Sequence, residues 1–366
     1  MRISLIALHF AEYSCRLAAA LAQDHDVQLI LSEPNIRAEL EEEFDQFLRI
    51  PRLEIIVLPH RRSPWGMLAI AFAIARGVKH FEPDVLHSHE DPKDYLVLAI
   101  SFLRSRYNFV LTVHDPVPHS GDDAMDYHNS RRGIYQRLLR RWCTSAITHG
   151  ASLRAQLGVN FPLLQNRISI VPHGPLGPFE LPNNPPEMGT LLFFGRINEY
   201  KGLRYFVDAV IRLRADGYAV KGIIAGRGSD LEPNRETILE NDCFELYEEY
   251  VPRARVHELF TRAQVIVMPY IDATQSGVAA MAMGFGKPVV ATNVGSISEM
   301  IVHNSTGILV APRDSNALAN AIQFLITDNP RYQELVSNVR DARLGWQGIA
   351  RATVEVYART IRKSKG

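Results

Sequence analysis

Two cations, Arg196 and Lys201, lie in the stretch FFGRINEYKG, residues 193–202, just past an apolar run. GTLLFFGR reads as a buried strand, Gly195 permits a turn, and Leu203, Phe206, Val210 and Leu213 then recur at helical spacing. The cations therefore belong on a strand-to-helix loop, and in open α/β sheets ligands collect at the carboxyl ends of strands. Two fixed cations there suit a diphosphate. The plainer alternative is a pair of solvated surface charges.

A second constellation follows in MPYIDATQSGVAAMAMGFGKPVVATNVG. Thr274, Gln275, Ser276 and Gly277 lead into a helix that is expected to carry Val278, Met281 and Met283 inward. Free N–H groups and the positive end of the helix dipole make such a start an anion site. The dipole is worth about 0.3–2 kcal/mol near an anion and each charge-assisted hydrogen bond about 1.5–3 kcal/mol, so only a combination with Arg196 and Lys201 would hold a diphosphate firmly. Alternatively, Gly277 merely lets the helix pack closely.

A third group is rich in histidine. His114 ends the run FVLTVHD and is followed by Asp115, His119 and Asp122 in a polar, proline-punctuated segment long enough to line a cleft. His87, His89 and Glu90 end the preceding apolar run, and His9, Glu12 and Tyr13 follow the first one, where they would shape an acceptor pocket or a plain surface loop. No helical i, i+4 histidine pair fixes a metal geometry, so no metal is expected.

The elements that position these groups are legible in the patterning. A chain of 366 residues suits two domains. Its 40 acidic and 40 basic residues leave no global field favouring nucleic acid, so attraction to anions must be local. Cys15, Cys143 and Cys243 form no CxxC pair, which argues against zinc and disulfide frameworks and for a reducing cytoplasm. MRISLIALHF reads as a first strand rather than a signal peptide, and the apolar stretch Trp65–Ala75 falls short of the roughly 20 residues that cross a bilayer.

Strand-like runs (RISLIAL, DVQLILS, LEIIVLP, DVLHSH, FVLTVHD, SAITHG, ISIVPHG) alternate with helical ones, and a second series (TLLFFG, VKGIIAG, CFELYEEY, QVIVMPY, KPVVAT, GILVAP) follows a linker holding five prolines between Gly174 and Gly189. The fold class is therefore α/β with mostly parallel sheets. The expected division is residues 1–175 and 176–344, with a last helix from about 345 returning to the first domain.

The order DVLHSH, FVLTVHD, RISIVPHG, GR followed by KG, IAGRG, YVP, and GKPVVAT resembles the retaining glycosyltransferases of family 4. That resemblance implies the GT-B fold, two Rossmann-like domains facing across a cleft, with the C-terminal one holding a nucleotide-sugar donor. It implies that Arg196 and Lys201 grip the diphosphate, that Gly195, Gly226 and Tyr250, Val251 and Pro252 line the nucleotide pocket, and that His114 contacts the transferred sugar. Cofactors are none, because the nucleotide-sugar, UDP-linked in preference to GDP-linked, is a substrate. The acceptor would be a saccharide or a lipid-linked hydroxyl in polysaccharide or glycoconjugate assembly.

Two departures stand out. Aligning on GKP puts Ala273 and Met281 where many members carry a Glu-x7-Glu pair, leaving Asp272 and the neighbouring loop to meet the sugar; and the first loop, ALHFAEYSC, lacks the usual glycines. With no placed carboxylate nucleophile, a front-face transfer is expected, in which the departing phosphate takes the acceptor's proton and cations stand in for a metal. The missing glutamates also suggest a noncatalytic sugar-nucleotide binder, and the two-lobed architecture an epimerase. Finally, RRGIYQRLLRRW (residues 131–142) and HRRSPWGMLAIAF combine arginines with apolar residues, which suits a cytoplasmic protein peripheral to an anionic membrane or, equally, a solvated face over a core.

Overall fold

In the computed structural model, residues 1–61, 63–116, 130–178, 181, 184–273, 276–342 and 345–363 are described. The chain divides into two units, Met1–Gly174 with Gly345–Gly366, and Pro175–Leu344.

The first unit is built on strands β1 (Arg2–Ala7), β2 (Asp26–Ser32), β3 (Leu53–Leu58), β4 (Val85–His89), β5 (Asn108–Thr112), β6 (Ser145–Thr148) and β7 (Ile168–Ile170), joined by helices α1 (Ala11–Leu21), α2 (Glu33–Glu39), α3 (Pro64–Phe81), α4 (Asp94–Leu103), α5 (Arg131–Trp142) and α6 (Ala151–Asn160). All pairings are parallel, in the order β3-β2-β1-β4-β5-β6-β7. The apolar runs are continuous because helices cover both faces of such a sheet; β4 is buried at every position, histidines included.

The second unit repeats the plan with β8 (Thr190–Phe194), β9 (Lys221–Ala225), β10 (Phe244–Tyr247), β11 (Val265–Met268), β12 (Val289–Thr292) and β13 (Gly307–Val310), in the order β10-β9-β8-β11-β12-β13. Its helices are α7 (Leu203–Ala215), α8 (Arg235–Glu240), α9 (Arg253–Arg262), α10 (Gly277–Gly284), α11 (Ile297–Met300), α12 (Ser315–Thr327) and α13 (Asn329–Ala342). The two-residue period of a strand is visible in its cores: Leu191 and Phe193 join the cluster under α7 and α12, whereas Leu192 points the other way to Leu259 and Phe260 of α9 and Ala279 and Ala282 of α10. On α10 the inward positions are Val278, Ala279, Ala280 and Ala282; Met281 and Met283 are half-buried, so small residues, not the expected methionines, set the close approach to the sheet.

Helix α14 (Trp346–Lys363) belongs to the first unit and packs on α1. Ile349, Val356 and Tyr357 are buried, and the Thr360 hydroxyl donates to Ser145 of β6 at 2.8 Å. In each sheet the strand order reverses once, between β1 and β4 and between β8 and β11. Loops leaving such a switch point diverge, which opens a crevice at the strands' carboxyl ends.

Candidate functional site

In the second unit the loops at the switch point are stitched together by their own backbones. Gly195 N–H donates to Ala225 O and Ile197 N–H to Arg227 O, both at 2.9 Å, which ties the loop after β8 to the loop after β9. Ile271 N–H donates to Tyr200 O at 2.7 Å, which brings in the loop after β11. Only glycine allows the first contact: Gly226 sits at φ +143°, and a Cβ there would lie 1.9 Å from Gly195 O.

Lys201 rises from this loop into the protein. It is buried, its Nζ lies 3.4 Å from Phe194 O and 5.2 Å from the centroid of the Tyr270 ring, and Gly195, at φ +104°, leaves the space that the ammonium occupies. Burial lowers its pKa to about 8, Tyr200 opposing this and the charge of Arg196 adding to it. Among the described residues no carboxylate pairs with it, whereas the other buried lysine of this unit, Lys287 of the GKP motif, is capped by Thr261 O and Ala263 O at 2.8 Å each. Lys287 is therefore a structural clamp. Lys201 is an uncompensated buried cation, which is costly unless an anion joins it.

Arg196 is exposed on the same loop. Arg227, exposed on the strand-linked loop after β9, is a third cation that the sequence motif IAGRG contained but that its spacing alone did not single out. Ser276 caps α10 by accepting from Ala279 N–H at 3.3 Å, and Gly277 opens the helix with nothing within 4 Å of where a Cβ would stand. Asp272 is exposed beside them, and Tyr250, Val251 and Pro252 lead into α9 with the Tyr250 ring exposed. Ala273 is buried and Met281 half-buried, so neither position offers a polar group. Thr274 and Gln275 lie outside the described residues.

In the first unit the switch-point loops carry a stack of histidines. His89 Nδ1 lies 2.8 Å from His114 Nε2, with the rings 5.1 Å apart and nearly parallel, and Phe10 stacks on His114 at 4.0 Å. Phe10 adopts φ +65°, a left-handed conformation costing a non-glycine residue of order 1–3 kcal/mol; it holds the place that a glycine would fill without strain. His87 is spanned by the Tyr357 hydroxyl of α14 at Nδ1, 2.6 Å, and Thr112 Oγ1 at Nε2, 2.7 Å. His149 and His173 give Nδ1–H to Val171 O and Gly174 O.

Desolvation holds all five neutral: His87 and His149 fall to about 3, His173 to about 4, and His89 and His114 well below the usual value. A neutral His89–His114 pair shares one proton across its hydrogen bond. Its outer nitrogens, His89 Nε2 and His114 Nδ1, which have no partner among the described residues, then present one donor and one acceptor. Such a pair can bind a hydroxyl and pass a proton.

The remaining predicted residues separate. Glu12 is buried in an ion pair with Arg16 at 3.0 Å, His9 is exposed, and Asp115 uses its carbonyl to accept from Arg140 Nη2 at 3.0 Å. His119 lies outside the described residues. Arg140, expected on a solvated basic face, is instead buried: it pairs with Glu90 at 2.7 Å and also donates to Pro116 O, so it anchors the loop that carries His114. Among the described residues no group of three His, Cys, Asp or Glu side chains is arranged to hold a metal. None of their helices is long and apolar enough to cross a membrane.

Comparison with known proteins bears on the family and the fold. The profile described as Glycosyltransferase Family 4 matches residues 11–174, and that described as Glycosyl transferases group 1 matches residues 189–328. An uncharacterized glycosyltransferase of Methanocaldococcus jannaschii is 24% identical over 75% of this chain and 75% of its own. A D-inositol 3-phosphate glycosyltransferase of Pseudarthrobacter chlorophenolicus is 27% identical over 87% of this chain and 79% of its own. The solved structure of Anabaena HepE in complex with UDP superposes with a TM-score of 0.67 at 18% identity, covering 98% of this chain and 100% of that one, which shows a shared GT-B fold.

Proposed function

Because the chain belongs to the family 4, group 1 glycosyltransferases, we propose that it moves a hexosyl group, with retention, from a nucleotide-sugar to an acceptor hydroxyl during polysaccharide or glycoconjugate assembly. The observation that carries this is Lys201, a buried ammonium with no counterion among the described residues, beside the exposed Arg196 at the switch point of β8 and β11. A diphosphate satisfies both, and the charge that grows on it as the glycosidic bond breaks is what these cations and the start of α10 stabilise. A metal ion is not needed for that role. UDP is the preferred nucleotide, in line with the UDP in the Anabaena complex.

In this reading the departing phosphate oxygen takes the acceptor's proton on the face the leaving group vacates, since Ala273 supplies no carboxylate nucleophile. Asp272 and backbone groups beside Ser276 and Gly277 take sugar hydroxyls, Gly226 and the Tyr250–Pro252 segment the nucleoside, and His114 offers its Nδ1, unpartnered among the described residues, to a hydroxyl. We place the protein at the cytoplasmic face of an anionic membrane, through an apolar stripe on α3 and the exposed arginines of α5.

Arg196→Ala and Lys201→Ala are each expected to lower turnover about 100-fold with the fold retained, because one preorganised donor to a developing anion is worth about 10²–10³. Near wild-type turnover in either variant refutes the assignment. The absence of both glutamates favours one rival, a noncatalytic sugar-nucleotide binder. Slow release of free sugar from donor without acceptor separates the two, since a binder releases none.

A further inference from the structure

A cavity of about 420 Å³ opens in the first unit where β1, β2 and β3 end, against Leu8, Ser32 and Leu58. That volume falls in the range of small-molecule sites, about 300–1,000 Å³, and the position is the ligand-binding edge of a parallel sheet. Its polar rim is one-sided. Arg61 and Lys93, both exposed, face it together with His9 and His60, and among the described residues no Asp or Glu lines it.

Asn35 lines the same cavity and is itself buried, 8% exposed. Its Nδ2 donates to Glu39 Oε1 at 2.6 Å, but its Oδ1 has no partner among the described residues. A buried acceptor left unpaired costs free energy unless a ligand hydroxyl completes it. Two carboxyl groups act on this rim from outside its lining: Glu39, bonded to Asn35, and Asp91, whose pKa burial raises while Lys93 and His9 lower it.

We infer that this cavity binds the acceptor, and that the acceptor is a hydroxylated molecule bearing an anionic group, a phosphate ester or a carboxylate. Arg61 and Lys93 take the anion, Asn35 Oδ1 accepts from a hydroxyl, and the apolar wall from Leu8, Leu58 and Ile70 of α3 covers a ring face. The inference rests on the transfer reading only in naming the ligand an acceptor.

Calorimetric titration of the full chain with glucose 6-phosphate, glucuronate and glucose tests it. At least one anionic sugar is expected to bind about tenfold or more tightly than glucose, and the preferred one identifies phosphate or carboxylate. Lys93→Met and Arg61→Gln should each weaken that binding about tenfold, the loss of one charge-assisted contact. The assignment is overturned if neither anion binds better than glucose, or if Lys201→Met abolishes binding while Lys93→Met and Arg61→Gln do not, which would put the anion on the other unit. Titration with UDP tests the donor reading alone: UDP binding without anionic-sugar binding overturns only the cavity, and anionic-sugar binding through Lys93 without UDP binding overturns only the donor reading.

Discussion

Lys201 is held ready to lose its proton. In water a lysine stays mostly protonated up to about pH 10, but burial brings this one to about 8, so it is mostly charged near pH 7 and mostly neutral by pH 9. If the charged form is the one that grips a diphosphate, kcat/KM, which reports the free enzyme, should fall with an apparent pKa near 8 as pH rises. Lys201→Arg should move or flatten that limb, since guanidinium keeps its proton. An alkaline limb unchanged in the arginine variant would show that some other group titrates. At this scale the sequence placed Arg196, Lys201 and Gly226 on the segments that follow strands, because strand, turn and helix around them have strong local signatures. It did not disclose that Lys201 is buried with no carboxylate partner among the described residues, in a site that the loop after β11 closes by folding onto Tyr200. Nor did it reveal the His89–His114 contact, which needs β4 and β5 side by side at the observed register.

The elements were easier to read than their faces. Each apolar run that alternation marked as a strand became one, because a parallel sheet buried on both sides demands continuous hydrophobic sequence. Helix α5 was harder. Its arginines look alike in the sequence, yet Arg140 points inward to Glu90 while Arg131, Arg132, Arg137 and Arg141 are exposed, and its Leu138 and Trp142 pack on the core. The exposed apolar stripe belongs to α3 instead: Trp65 is 81% exposed, Phe72 60%, and Leu68 lies between them, with Phe72 stacked on Phe102 of α4. Neither α3 nor α5 carries a carboxylate. Each large side chain entering a bilayer contributes about 1.5–3 kcal/mol and each cation near an anionic surface about 1 kcal/mol. The protein should therefore float with vesicles containing anionic lipid, less so at high salt. The Trp65→Ser/Phe72→Ser variant should lose at least tenfold in binding while melting like the wild type, since both residues are exposed. Equal flotation of wild type and variant would remove α3 from the membrane.

At the scale of the whole chain, the two units answer acid differently. His87, His89, His114, His149 and His173 all belong to the first unit and are kept neutral by burial, whereas His257 and His303 of the second are exposed. Above about pH 6.5 neither the native nor the unfolded first unit protonates these rings, and their contribution to stability is fully present. Below it the unfolded chain takes up protons that the native state refuses, so stability falls with pH by up to about 1.4 kcal/mol per ring per unit. Glu90 and Asp91, whose pKa values burial raises, run the other way and soften the slope without reversing it. In the second unit Glu245 is lowered to about 2, chiefly by its hydrogen bond from Arg262, so its stabilisation is lost only as pH drops below about 4.5. Between pH 6.5 and 4.5 the first unit alone should weaken. Scanning calorimetry at pH 7.5 and 5.0 is expected to show one transition moving down by about 10 °C or more, because each 1 kcal/mol shifts the melting temperature of a unit this size by about 2–4 °C. A second transition should hold nearly still and rise only when UDP is added, since a ligand stabilises the unit that binds it. If acid and UDP act on the same transition, or if neither transition moves between these pH values, the histidine stack is not what sets the acid limit of this fold.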